Sequence, residues 1–199
     1  MKARVISKID VLDVMPDTAQ PRQDWDKHQR ELNDLQVDIE KNGLYYPIIV
    51  SPFYINGNSE AVVGEKAMNH KDRKWWILDG ERRWRAVSNM GLTKIEALVR
   101  TELTLLEMME IQFASNTKRL QVTIREMSKA VERYRDEYKK ENEEYKEGAF
   151  IKHLCALTGY SNPYFGMVEA IKRSDDDIRE GVLSEQIGGY APVEIERAS

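Results

Sequence analysis

The sequence predicts an α+β protein: a small mixed α/β domain over residues 1–100, followed by an all-α domain over residues 101–199 that carries a helix-turn-helix. Two observations predict this. Up to Arg100, runs rich in branched and aromatic residues ("PIIVSPF", "WWIL", "KIEALVR") alternate with segments of helical periodicity. From Thr101 onward the apolar residues recur at helical spacing alone.

Taken in order, Val5 to Val14 reads as a short strand. In the next segment Leu32, Leu35 and Ile39 share one helical face, and Gly43 supplies the stop. Pro47 opens "PIIVSPF". A polar stretch from Asn56 to Arg73 then contains "NGN", either a hairpin tip or part of a disordered excursion. The strand "WWIL" ends at Asp79-Gly80, an arginine-rich helix runs to a stop at Gly91, and "KIEALVR" is the last strand.

Beyond it, Thr104 with Glu107 and Thr123 with Glu126 form capping-box patterns that mark two helix starts. Leu120, Ile124, Met127, Val131, Tyr134 and Tyr138 form an apolar stripe, the signature of a core-facing helix. The run "DEYKKENEEYKEG" is charged enough to be a solvated helix end or linker. In "IKHLCALTGYSNPYFGMVEAIKR" a helix ends near Gly159, the chain turns, and a second helix begins at Ser161 or Asn162 with Pro163 in its first turn. That is a helix-turn-helix pattern, one that many helical hairpins share.

Composition sets the outer bounds. With 199 residues, 41% hydrophobic and 32% charged, the chain suits a soluble globular protein; no stretch approaches a membrane span and the N-terminus lacks a signal peptide, so the expected location is the cytoplasm. The single cysteine, Cys155, can form no internal disulfide and reads as a small hydrophobe. A net charge of −4 argues against a nucleic-acid binder, but the charge is uneven. Residues 71–100 hold eight Lys and Arg against four acids, whereas residues 174–199 hold seven acids against two arginines.

The arginines of "GERRWRA" are oddly placed. If a helix starts at Gly80, Arg82 and Arg83 fall in its first turn, where the positive end of the macrodipole disfavours cations. Glu81 offsets part of that cost, and a bound anion would offset more. The alternative is a surface helix whose guanidiniums pair with Asp79, Glu81 and Glu102.

Three separated segments, "QPR" at Gln20 to Arg22, "GERRWRA" at Gly80 to Ala86 and "SNTKR" at Ser115 to Arg119, closely resemble the three motif boxes of the ParB/RepB family of partition proteins, in the family's order. The intervening "DIEKNGLYYPIIV" and "GLTKIEALVR" resemble the family's stretches there, as does "REGVLS" after the helix-turn-helix. The resemblance implies a ParB/sulfiredoxin-like domain that binds CTP with magnesium and closes as a DNA-loaded clamp. It assigns Gly80, Glu81, Arg82 and Arg83 to the triphosphate, with Gln20 and Arg22 approaching from the first box. It turns the Gly43 to Pro47 segment toward the base, and gives Ser115 and Asn116 to the third box, with Asn116 helping to hold magnesium.

For DNA, the family position of the helix-turn-helix puts Asn162, Tyr164 and Phe165 near the bases and Lys172 and Arg173 toward phosphate, with Tyr164 and Phe165 as core residues the competing reading. The resemblance further implies a nucleoid- or plasmid-associated protein, double-stranded DNA and a ParA-type ATPase as partners, and a homodimer dependent on nucleotide. Departures are visible as well. Ser115 stands where the family usually has Glu, which points to slow CTP hydrolysis. The domain starts almost at Met1 without the family's basic tail, and no dimerisation domain follows Ser199, as expected of a shortened chain or a minimal relative. The Asn56 to Arg73 segment is longer than in compact members and has no assigned role. Two alternatives stand beside this reading: a nuclease or phosphate-transferring enzyme with Glu81 as base, and a helix-turn-helix transcriptional regulator on a nucleotide-fold scaffold. Sulfiredoxin chemistry needs a cysteine in the corresponding box, and the arginine box has none, which argues against it.

Overall fold

The computed structural model describes residues 5–16, 29–117 and 124–173. β1 (Val5–Asp10) leads through a 3-10 turn (Val11–Asp13) into β2 (Val14–Met15). Then come α1 (Gln29–Asn42), β3 (Ile48–Ile55), β4 (Ala61–Val63), the single-turn α2 (Glu65–Met68), β5 (Lys74–Asp79), α3 (Glu81–Asn89) and β6 (Lys94–Val99). Four helices follow: α4 (Leu105–Thr117), α5 (Ile124–Glu141), α6 (Glu147–Thr158) and α7 (Asn162–Arg173). The fold class is the expected α+β. The described residues up to Gln112 form one compact unit and those from Phe113 another.

The sheet of the first unit runs β1-β6-β3-β5-β2, with β4 also paired to β3. β3 bonds in parallel to β6 through Ile48 to Val50 and antiparallel to β4 through Phe53 to Ile55. Pro52, which has no N–H to give a ladder, falls where β3 changes partner on that side. In "WWIL" the alternation of a strand sends side chains to both faces. Trp75 and Ile77 join the core that also holds Leu32 and Ile39 of α1 and Ala86 and Val87 of α3. Leu78 joins Leu103 and Met108 in a second cluster, with Trp76 packed against it. Each such side chain, fully buried, stabilises by roughly 1.5–3 kcal/mol.

Local signals explain several boundaries. Gly43, at φ +76°, ends α1 by donating to the Ile39 carbonyl at 2.8 Å. Thr104 and Glu107 form the expected capping box: the Thr104 amide donates to Glu107 Oε2 at 2.8 Å, and the Glu107 amide donates to Thr104 Oγ1 at 3.2 Å. "NGN" is a hairpin tip, with Asn56 Oδ1 accepting from the amides of Asn58 and Glu60, both at 2.9 Å. The single strand expected over Val5 to Val14 is instead two strands split by the 3-10 turn. Val11 and Val14 are both buried while Leu12 is 90% exposed, and the turn carries the chain from β1 at one sheet edge to β2 at the other.

In the second unit Met127, Val131 and Tyr134 of α5 are buried, as the stripe predicts, and Tyr138 is half-buried; Leu120 and the Thr123 cap lie outside the described residues. α5 runs on to Glu141 through part of the charged segment. Arg135 is 6% exposed, and its Nη2 donates to Glu147 of α6 at 3.1 Å and to Glu169 of α7. One buried guanidinium therefore ties three helices together.

Candidate functional site

The arginine box begins with a backbone that only glycine tolerates. Gly80 precedes α3 at φ +99°, and a Cβ there would lie 2.8 Å from Ile48 Cγ2 and 2.9 Å from Arg83 Nη2. The missing side chain thus lets the Arg83 guanidinium lie across the helix entry. Arg83 Nη1 donates to the carbonyls of Tyr46 (2.8 Å) and Pro47 (2.7 Å), and Nη2 to Asp79 Oδ2 (3.0 Å). This clamps the turn before β3 onto the box and accounts for one of the two cations in the helix's first turn.

The neighbouring arginines differ. Arg85 donates from Nε and Nη2 to Glu81 Oε1, at 2.9 and 2.6 Å, and Glu81 is only 7% exposed. The Asp79 and Glu81 pairings foreseen for a surface helix are therefore present, whereas Glu102 pairs with Arg100. Arg82 instead reaches Glu31 of α1, its Nη2 3.3 Å from Glu31 Oε2, with the two side chains 34% and 51% exposed. Such an exposed pair contributes only about 0–1 kcal/mol, so Arg82 is the arginine of the box most readily recruited by an anion.

The structure thus brings Gly80, Glu81, Arg82 and Arg83 together with the Tyr46-Pro47 end of the Gly43 to Pro47 turn. Tyr45 and Tyr46 are 66% and 75% exposed on that turn, a feature sequence reasoning passed over because only the glycine and the proline carry the motif. Gln20 and Arg22 lie outside the described residues. Ser115 is half-buried on α4; Asn116 is on the same helix, with its side chain outside the described set. Among the described residues no group of three His, Cys, Asp or Glu could hold a metal ion.

On the helix-turn-helix, Gly159 at φ +81° ends α6 by donating to the Cys155 carbonyl at 2.9 Å, and α7 begins at Asn162. Asn162, Pro163 and Gly166 are exposed at its start. Phe165, expected near the bases, is instead fully buried, which makes it a core residue. Tyr164 is half-buried, its ring stacked on Tyr160 at 4.5 Å, and burial pushes its phenol up to about 12. Gly166 faces open space, since a Cβ there would meet nothing within 4 Å. Lys172 and Arg173 close α7, with their side chains outside the described set. No helix among the described residues is long and apolar enough to cross a membrane.

Comparison with known proteins adds the following. Residues 1–117 match the family model of the ParB N-terminal domain. The chain is 33% identical over 118 residues to the chromosome-partitioning protein ParB of Caulobacter vibrioides, an alignment covering 59% of this chain and 32% of that protein. It is 29% identical over 142 residues to the probable chromosome-partitioning protein ParB of Coxiella burnetii, covering 71% and 42%. The match thus spans about a third to two-fifths of these curated relatives' length. Among solved structures, the C-terminally truncated ParB of Caulobacter crescentus complexed to the centromeric parS site is similar at a TM-score of 0.56 and 19% identity, covering 96% of this chain and 90% of that one. At that identity the likeness speaks to the fold.

Proposed function

Because the chain belongs to the ParB N-terminal domain family, we propose that it is a partition protein that binds CTP with magnesium at the arginine box, uses α7 to bind double-stranded DNA, and closes on that DNA as a nucleotide-dependent homodimer. The observation that carries the nucleotide part is Arg82, which sits in the first turn of α3 beside Gly80 and whose partner among the described residues is the exposed Glu31. A triphosphate supplies dense negative charge. The amide end of α3 and a redirected Arg82 fork provide the complementary donors. Arg83 and Asp79 keep the Tyr46-Pro47 turn in register with the box, and the Glu81–Arg85 pair fixes the helix entry. That pairing leaves Glu81 a positioning role in this reading, in place of the general base weighed above.

For DNA, the support is a helix-turn-helix whose second helix exposes Asn162, Pro163 and Gly166 at its start, together with a parS-bound protein of the same fold. Lys172 and Arg173 remain assigned to phosphate by resemblance. A ParA-type ATPase is the proposed partner in segregation. Binding of each nucleoside triphosphate, with and without duplex DNA, should be followed together with phosphate release and DNA integrity. CTP-selective binding with intact DNA is the expected result. DNA cutting would favour a nuclease, and DNA binding without any nucleotide response would favour a transcriptional regulator.

A further inference from the structure

At the opposite end of β5 from Gly80, a cavity of about 490 Å³ opens on the face of the sheet that also holds the α1–α3 core. That volume lies within the roughly 300–1,000 Å³ usual for small-molecule sites. Its apolar wall comes from Ile9, Met68, Trp75 and Val99. Two lining residues, Met68 and Arg73, come from the Asn56 to Arg73 segment to which no role was assigned.

The charges around this cavity do not cancel. Each lining carboxylate has a cation: Asp10 is 2.8 Å from Lys94, Asp13 is 2.6 Å from Lys74, and Glu102 is bound by Arg100. Burial pushes the Glu102 carboxyl up, but hydrogen bonds from the backbone and from Arg100 outweigh it and hold the group below the usual range, hence ionised and paired at neutral pH. Arg73, by contrast, has no acidic partner among the described residues. Its guanidinium lies 4.5 Å above the Trp75 ring and donates from Nη1 to the Met68 carbonyl, while its Nε is buried without an acceptor. A guanidinium that is stacked, half-buried and unneutralised beside an apolar wall has the chemistry of an anion receptor.

We propose that this cavity binds a small organic anion, its carboxylate or phosphate held at Arg73 and its apolar body resting against Met68, Ile9 and Val99. The 56–73 segment, on this view, builds a second ligand site separate from the arginine box.

The test is a two-dimensional NMR titration that follows the Arg73 Nε–H and Trp75 indole N–H resonances, assigned with Arg73→Lys and Trp75→Phe. Benzoate and phenyl phosphate are the anionic probes and benzylamine is the cationic control. At least one anion should move both resonances with a Kd of about 1 mM or tighter, and benzylamine should move neither; which anion binds identifies the acidic group. Arg73→Gln should weaken binding at least about tenfold, while Arg73→Lys, which keeps the charge, should lose less. Arg82→Ala should titrate as the natural protein does, which separates this site from the nucleotide site. Absence of any shift with both anions, equal binding by Arg73→Gln, or loss of binding in Arg82→Ala would overturn the proposal.

Discussion

Arg82 and Arg83 are adjacent in sequence, yet what holds them sets them apart. Arg83 is 20% exposed and bonded to two carbonyls and a carboxylate; removing it takes away three hydrogen bonds that join the Tyr46-Pro47 turn and Asp79 to the box. Arg83→Ala is therefore expected to destabilise the fold by about 1–3 kcal/mol, read in denaturant melts. Arg82→Ala loses only an exposed pair worth about 0–1 kcal/mol, so its melt should nearly superimpose on that of the natural protein. Gly80→Ala must hold a left-handed backbone and fit a methyl 2.8 Å from Ile48, and should cost at least about 1–3 kcal/mol. The composition of the box was legible in the sequence; this division of labour was not, because Arg83's carbonyl partners lie 36 and 37 residues away on the turn before β3.

At the scale of elements, α5, α6 and α7 of the second unit meet at Arg135. Breaking a buried ion pair costs about 3–5 kcal/mol, but Glu147 and Glu169 stay 52% and 23% exposed and can rehydrate. Arg135→Met should accordingly lose stability toward the lower end of that range, and adding Glu169→Leu should recover part of it; equilibrium unfolding of the single and double variants checks both. Tyr164 gives a pH prediction. Its folded-state pKa, about 12, lies above the ordinary 10.0, so its contribution to stability is fully present below pH 10 and is lost as pH rises toward 12. Phenolate absorbance should show two late-titrating tyrosines, Tyr164 and Tyr145, the latter raised to about 12 by burial and its bond to Glu147, and Tyr164→Phe should remove one of the two. What the sequence showed of these elements followed from local chemistry: the α5 stripe, the Thr104–Glu107 box and the "NGN" tip each depend on neighbours within a few residues. The split of β1 from β2, the one-turn α2 and the burial of Phe165 depend on distant partners. Periodicity carries no trace of them.

For the whole molecule, the fold class and the motif boxes converge on the ParB N-terminal domain family, and the proposed coupling of nucleotide to DNA is tested at this scale. If α7 reads DNA, Asn162→Ala should cost roughly 1–3 kcal/mol on a preferred duplex, whereas Lys172→Ala should weaken all sequences alike and flatten the salt dependence. Selection from randomised duplexes followed by salt titration distinguishes the two effects. Ser115→Glu, which restores the carboxylate common in the family, should raise phosphate release with CTP, magnesium and DNA. The central claim, that the arginine box is a nucleotide site in which Arg82 grips phosphate, is tested most directly by calorimetric titration of CTP and magnesium into the natural protein and Arg82→Ala. The predicted result is binding by the natural protein and a loss of about 1.5–3 kcal/mol in the variant, with an unchanged melting curve. An absence of CTP binding by the natural protein, or equal affinity in both, would contradict it.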